Sequence, residues 1–342
     1  MKLNRKIQIG NFTIGSGEPC FVIAEAGVAH FGSLETARKL VDMAVDAKAN
    51  AVKFQLFNTE SLISRASQEW IDRLKPKELS YENATSIKEY CDQKGIMFLA
   101  TPHEESSSDF LEELGVPAFK VGSGEVGNLK FIRHLAKKGK PILVSTGLHN
   151  DNDIAQVLSA IAEENNPNAA LFHCVTAYPT PPEQSNLNAI KTMMEEYPVP
   201  VGYSDHTVGT LIPLASIALG AQLLEKHICI DKQTPGSQDC KVSCDREDLI
   251  QMVDQVRRIE SSLGNGKKLV AEAAKPSIAW ARKSLVAARS LRAGETLKDE
   301  DIVMKRPGTG ILPTDKDKVI GLKLVHDIAK DELFSWSHFE EV

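Results

Sequence analysis

Eight short apolar runs, each closing on polar or charged residues and most followed by a stretch of helical period, divide residues 21–263. They are Phe21–Ala26, Ala51–Gln55, Ile96–Thr101, Ala118–Val121, Ile142–Thr146, Ala170–Val175, Val199–Ser204 and Gln222–His227. Strands alternating with helices predict a parallel sheet, and eight of them predict an α/β fold of the closed (βα)8 TIM-barrel type. The runs are continuous rather than alternating, as expected of strands buried on both faces. Helix limits are also marked. Ser33 stands where it can cap a helix over Leu34–Ala47, and Gly115, Gly220 and Gly264 stand where helices starting near Phe110, Leu211 and Arg246 should stop. A barrel gathers the carboxyl ends of its strands on one face, where active sites are built. The polar residues at those ends are Glu25, Lys53, Gln55, Thr101, Lys120, Ser123, Glu125, Ser145, His173, Ser204, Asp205, His206, Glu225, Lys226 and His227. Scattered in sequence, they are predicted to converge, which is the pattern of an enzyme.

At 342 residues the chain exceeds the roughly 250 of such a barrel. Residues 1–20 predict a β cap, with strands at Lys6–Ile9 and Asn11–Ile14 around Gly10, so cap and barrel occupy 1–263. Residues 264–283 carry turn signals and read as a linker, and 284–342 read as a small second unit. No apolar stretch approaches the roughly 20 residues of a membrane span. The basic start lacks a signal-peptide core, and six cysteines in a long chain argue against a disulfide scaffold. A cytoplasmic protein with no membrane partner is expected. The net charge of −6 gives no general attraction to nucleic acid, so an anionic substrate needs a local cluster of cations.

Two segments, Ser204-Asp205-His206-Thr207 and Glu225-Lys226-His227, close adjacent strands. Neutral imidazoles there can share one divalent metal and leave coordination sites open for substrate, or both can be hydrogen-bonded rim histidines. Lys53, Lys120 and Arg306 are the candidate cations. With hydroxyls from Thr101, Ser123, Ser145 and Ser204 they form a phosphate or carboxylate cradle, although each hydroxyl alone could cap a strand end. Glu25 and Glu125 could orient water, hold a hydroxyl or neutralise a lysine. The C-x3-C spacing of Cys240 and Cys244 lacks the second pair of a zinc site.

In order along the chain, Ala24-Glu25-Ala26-Gly27 with His30 and Gly32, Val52-Lys53-Phe54-Gln55, Phe119-Lys120-Val121-Gly122-Ser123-Gly124-Glu125, Ser145-Thr146-Gly147, His173-Cys174, Tyr178-Pro179, the two histidine segments and Lys305-Arg306-Pro307-Gly308-Thr309-Gly310 appear. This ordered set resembles the sialic acid synthase family over essentially the whole chain, including its C-terminal antifreeze-like (β-clip, SAF) domain. The resemblance implies condensation of phosphoenolpyruvate with the open-chain aldehyde of an N-acyl-mannosamine-type hexosamine, giving a nine-carbon 2-keto sugar acid and phosphate. It implies Mn2+ or Mg2+ held by His206 and His227, and Glu25 acting on the water that adds to the enol ester. Lys53, Lys120, Thr101, Ser123, Ser145 and Ser204 fall on phosphoenolpyruvate positions; Gln55, Glu125, Tyr178 and Asp239 fall around sugar and metal. Arg306 falls on an arginine given to the other subunit's barrel, which implies a domain-swapped homodimer.

Departures from the pattern lie toward the sugar. Ala29 replaces Asn, His103 follows Thr-Pro in place of Phe, and the stretch Pro235-Gly236-Ser237-Gln238-Asp239 is one residue longer. The segment 58–81 is shorter. A deoxy or diacetamido acceptor is therefore expected. Rival readings are another phosphoenolpyruvate-dependent 2-keto acid aldol synthase, a Schiff-base aldolase using Lys53 or Lys120, and a non-catalytic carbohydrate-binding protein.

Overall fold

Successive residues of a strand point to opposite faces, and the two faces of these strands bury different things. In the computed structural model, which describes residues 2–234 and 237–340, the strands are β1 (Lys6–Ile9), β2 (Phe12–Gly15), β3 (Phe21–Gly27), β4 (Ala51–Leu56), β5 (Met97–Pro102), β6 (Phe119–Val121), β7 (Ile142–Ser145), β8 (Ala169–Cys174), β9 (Val201–Asp205) and β10 (Leu223–His227). Parallel ladders run in the order β5-β4-β3-β10-β9-β8-β7-β6, and β5 and β6 are in contact, so the ring of eight closes as a TIM barrel. Outward residues such as Val22, Ala24, Val52, Phe98, Val144 and Leu171 pack under the surrounding helices. Inward residues Ile23, Ala51, Leu99, Ala118, Leu143, Phe172 and Leu223 form a second buried cluster with Ile7, Ile9 and Ile14 of the β1–β2 hairpin. That hairpin plugs the amino-terminal end of the barrel. Both faces are apolar, which is why the sequence runs show no alternation.

Two residues beyond each inward apolar side chain comes a polar one: Glu25, Lys53, Thr101, Lys120, Ser145, Cys174 and Glu225. The lower barrel is therefore core and the upper barrel is a polar cup. The same period turns other strand-end residues away. Asp205 and Lys226 face outward, where Lys226 Nζ lies 2.5 Å from Asp205 Oδ2 and donates to Thr207 O at 2.7 Å. His173 donates from Nε2 to Ser185 O at 2.8 Å. These three residues, expected in the converging cluster, belong instead to the barrel wall. Replacing Lys226 by Met strands a buried carboxylate, and breaking such a pair costs about 3–5 kcal/mol. The expected result is a matching fall in unfolding free energy by denaturant titration.

Helix ends follow the sequence signals closely. The first barrel helix, Leu34–Asp46, has Ser33 accepting from Thr36 N at 3.2 Å. Helices Glu105–Glu113, Leu211–Ala218 and Arg246–Leu263 stop just before Gly115, Gly220 and Gly264, each at positive φ. Arg257 of the last helix donates to Cys20 O at 2.9 Å and to Asn50 Oδ1 at 3.2 Å, tying that helix to the start of β3.

The chain divides into two compact units, 1–264 and 265–342. In the second, β11 (Ser284–Ala287) and β12 (Ile302–Lys305) pair antiparallel over a core that includes Leu285, Leu291, Leu297 and Phe334. Residues 265–283 are grouped with this unit and include a short helix, Ser277–Ala281. The strand expected at Leu322–Val325 is reduced to single bridges, Lys323 to Thr296 and Leu324 to Phe339. Among the described residues, no helix is long and apolar enough to cross a membrane.

Candidate active site

Strand register brings the polar residues of the cup together. Glu25 stands beside Lys53 on one side and His227 on the other, Gln55 beside Thr101, and Ser204 between Cys174 and Glu225. A register shift between Glu25 and Gly27 leaves Gly27 at φ +51°, where an added Cβ would lie 3.2 Å from Glu25 Oε1 and 3.5 Å from Gln55 Nε2. Glycine is required there both by the backbone and by the close approach of the two side chains. The result is a cavity of ~200 Å³ lined by Glu25, Lys53, Gln55, Thr101, Lys120, Ser123, Ser145, Tyr178, Ser204, His206 and His227.

Lys53 and Lys120 are buried, their stems held by the barrel wall and their ammonium groups aimed into the cup. Lys53 Nζ is 2.7 Å from Glu25 and donates to Thr101 Oγ1 at 3.0 Å; Lys120 Nζ donates to Ser145 Oγ at 2.5 Å. Glu225 sits between them, 3.7 Å from each, and accepts from Ser204 Oγ at 3.1 Å. Burial raises the Glu25 carboxyl to about 7 against the pull of Lys53. Burial pushes Glu225 the same way, but Lys120 and Lys53 outweigh it and hold that carboxyl low. Burial lowers Lys120, whereas at Lys53 the nearby Glu225 and Glu25 overcome burial and raise it. Cations and hydroxyls so placed suit a small, multiply charged anion.

Gly147 leaves room for this cradle. Its N–H donates to Ser123 Oγ at 3.0 Å, and an added Cβ would collide with Thr176 Oγ1 and come within 3.1 Å of Cys174 Sγ. Gly147→Ala is expected to displace Ser123 and raise the KM for the anionic substrate about tenfold, the loss of roughly one hydrogen bond to a charged group.

Opposite the cradle stand the two imidazoles, with ring centres 5.3 Å apart. His206 Nδ1 is 2.7 Å from Val175 O, a carbonyl that can only accept, so Nδ1 carries the proton and Nε2 presents its lone pair. Burial lowers His206 to about 4 and lowers His227 as well, keeping both rings neutral. Tyr178 lies 4.0 Å from the His206 ring and presents an edge to His227. A proton fixed on one ring nitrogen by a backbone carbonyl, with the other nitrogen bare, is the state a metal-binding histidine needs. The pair fits a divalent ion. Among the described residues no three His, Cys, Asp or Glu side chains are grouped to hold one, so water and substrate would complete its coordination.

Glu125, expected beside Glu25, does not line the cavity: it sits at the rim of the turn Ser123–Glu125 and accepts from Asn128 at 2.7 Å. Asp239 opens the turn Asp239–Val242 and acts electrostatically on His227 and Tyr178 without lining the cavity. Pro235 and Gly236, from the lengthened stretch before it, lie outside the described residues. Arg306 belongs to the second unit, where it is exposed and lies 5.9 Å over the ring of Trp280. Glu225, Cys174 and Thr176 line the cavity without having been given a role from sequence, and His103, read from sequence only as a departure toward the sugar, lines it as well. For Glu225 and Cys174 the sequence signal was only their place at the ends of apolar runs; register is what turns them inward.

A model of the NeuB family matches residues 40–268, and one of the SAF domain matches residues 282–340. An uncharacterized protein of Methanocaldococcus jannaschii is 40% identical over 97% of this chain and 98% of its own length. The N,N'-diacetyllegionaminic acid synthase of Legionella pneumophila is 35% identical over 99% of this chain and all of its own. Among solved structures, the N-acetylneuraminic acid (sialic acid) synthetase of Leptospira borgpetersenii superposes with a TM-score of 0.76 at 35% identity, covering 81% of this chain and 96% of that one.

Proposed function

The chain belongs to the NeuB family, and on that premise we propose that it joins phosphoenolpyruvate to the open-chain aldehyde of an N-acyl-hexosamine, with water consumed and phosphate released. It is a synthase-type transferase, and its product on this reading is a nine-carbon 2-keto sugar acid. The observation that carries the reading is the cup itself. Two buried ammonium groups, four hydroxyls and a pair of neutral imidazoles line one small cavity.

Lys53, Lys120, Thr101, Ser123, Ser145 and Ser204 hold the phosphate and carboxylate of the enol ester. Its methylene carbon then attacks the aldehyde carbon, and cationic character develops at C2. Glu25, steadied by Gln55 Nε2 at 3.3 Å, takes a proton from the water that adds to C2. The tetrahedral species then breaks its C–O bond to phosphate. His206 and His227 would hold Mn2+ or Mg2+. Bound there, such an ion supplies Lewis-acid polarisation of the aldehyde oxygen. Holding both substrates in attack geometry contributes about 7–11 kcal/mol toward the barrier.

The acceptor is a diacetamido or deoxy relative of N-acetylmannosamine, a reading supported by Ala29 and by the name of the Legionella relative. Arg306 completes the site of a second copy in a homodimer. Phosphate release with phosphoenolpyruvate, Mn2+ and a panel of N-acyl-hexosamines tests the function; N-acetylmannosamine emerging as clearly the best acceptor would overturn the acceptor assignment. A rival Schiff-base chemistry needs a neutral amine at Lys53 or Lys120, and the hydroxyl and carboxylate partners of both ammonium groups argue against it. Borohydride is expected to trap no adduct.

A further inference from the structure

His103 is the lining residue whose side chain is least accounted for. It follows β5 directly, and its backbone N–H donates to Leu56 O at 3.2 Å, which fixes where the ring enters the cup. The ring meets Phe57 edge-on at 5.9 Å, and its Cε1 would lie 3.9 Å from a Cβ on Gly122. Its Nε2, next to that Cε1, is buried and has no hydrogen-bond partner. An unpaired buried nitrogen is costly, so a cavity-lining imidazole held in this state is waiting for something that enters the cavity. Leu56 ends the strand that carries Lys53, and Gly122 directly follows the strand that carries Lys120, so the ring stands among the strand ends that bear the two ammonium groups, and burial keeps it neutral. A neutral ring with its proton on Nε2 adds a donor there without adding a third positive charge.

We propose that His103 Nε2–H donates a hydrogen bond to a phosphoryl oxygen of the bound enol phosphate, fixing the leaving group between Lys53 and Lys120. This rests on the functional reading above and adds a phosphate-binding residue where the family resemblance leads to Phe. The donor has no counterpart in a Phe side chain, whereas Gln supplies an amide N–H.

Isothermal titration of the wild type, His103→Phe and His103→Gln with phosphoenolpyruvate, inorganic phosphate and pyruvate tests it. In His103→Phe, affinity for phosphoenolpyruvate and inorganic phosphate should fall roughly ten- to hundredfold, the worth of one hydrogen bond to a charged group. Pyruvate binding should stay unchanged, His103→Gln should recover most of the loss, and the midpoint of thermal unfolding should not fall. Unchanged phosphoenolpyruvate affinity in His103→Phe, or an equal loss for pyruvate, overturns the assignment. A wild type that binds no phosphoenolpyruvate overturns the functional reading along with it.

Discussion

Replacing His206 or His227 by Ala is expected to reduce kcat/KM about 10³-fold or more, measured as phosphate release at saturating Mn2+. His206 directly follows β9 and His227 ends the adjacent β10, and no third protein ligand stands by to compensate among the described residues. Lewis-acid stabilisation of a developing alkoxide is worth several kcal/mol, and each 1.4 kcal/mol is about tenfold in rate. Either variant should also lose the electron paramagnetic resonance signature of bound Mn2+ while retaining phosphoenolpyruvate affinity, because both lysines of the anion cradle, with Thr101 and Ser145, stand on other strands. A variant that keeps turnover would show that the imidazole pair is structural.

Glu25→Gln is the second large effect. General-base catalysis contributes about 10²–10⁴-fold, and the substitution preserves shape while removing the group that takes the proton. The carboxyl must be ionised to act. Because burial raises it to about 7, wild-type turnover should climb through neutral pH and fall away on the acid side. The variant should lose that limb of the profile as well as the rate. Its phosphoenolpyruvate KM should change little, since Lys53 keeps its contacts to Thr101 and Glu225.

Much of this was legible in the chain. The apolar runs placed all eight strands within a residue or two, and the strand-end position identified Lys53, Lys120, Glu25 and both histidines as lining one cup. What the runs concealed was facing. Because core lies on both sides, hydrophobicity carries no period of two, and Asp205, Lys226 and His173 could not be sorted from Ser204, Glu225 and Cys174 until register was known. Glu125 misled for a related reason: Ser123 occupies the inward position of its turn, and two residues later the chain is already at the rim. The partnering of Glu225 with both lysines was illegible because it depends on three strands distant in sequence.

Phosphoenolpyruvate carrying ¹⁸O in the bridge between C2 and phosphorus tests the central chemistry most directly. With an N-acyl-hexosamine and Mn2+, mass spectrometry should find the label in the released phosphate, because C–O cleavage follows addition of water at C2. Label retained in the keto acid, with water oxygen in the phosphate, would contradict this account of the cup.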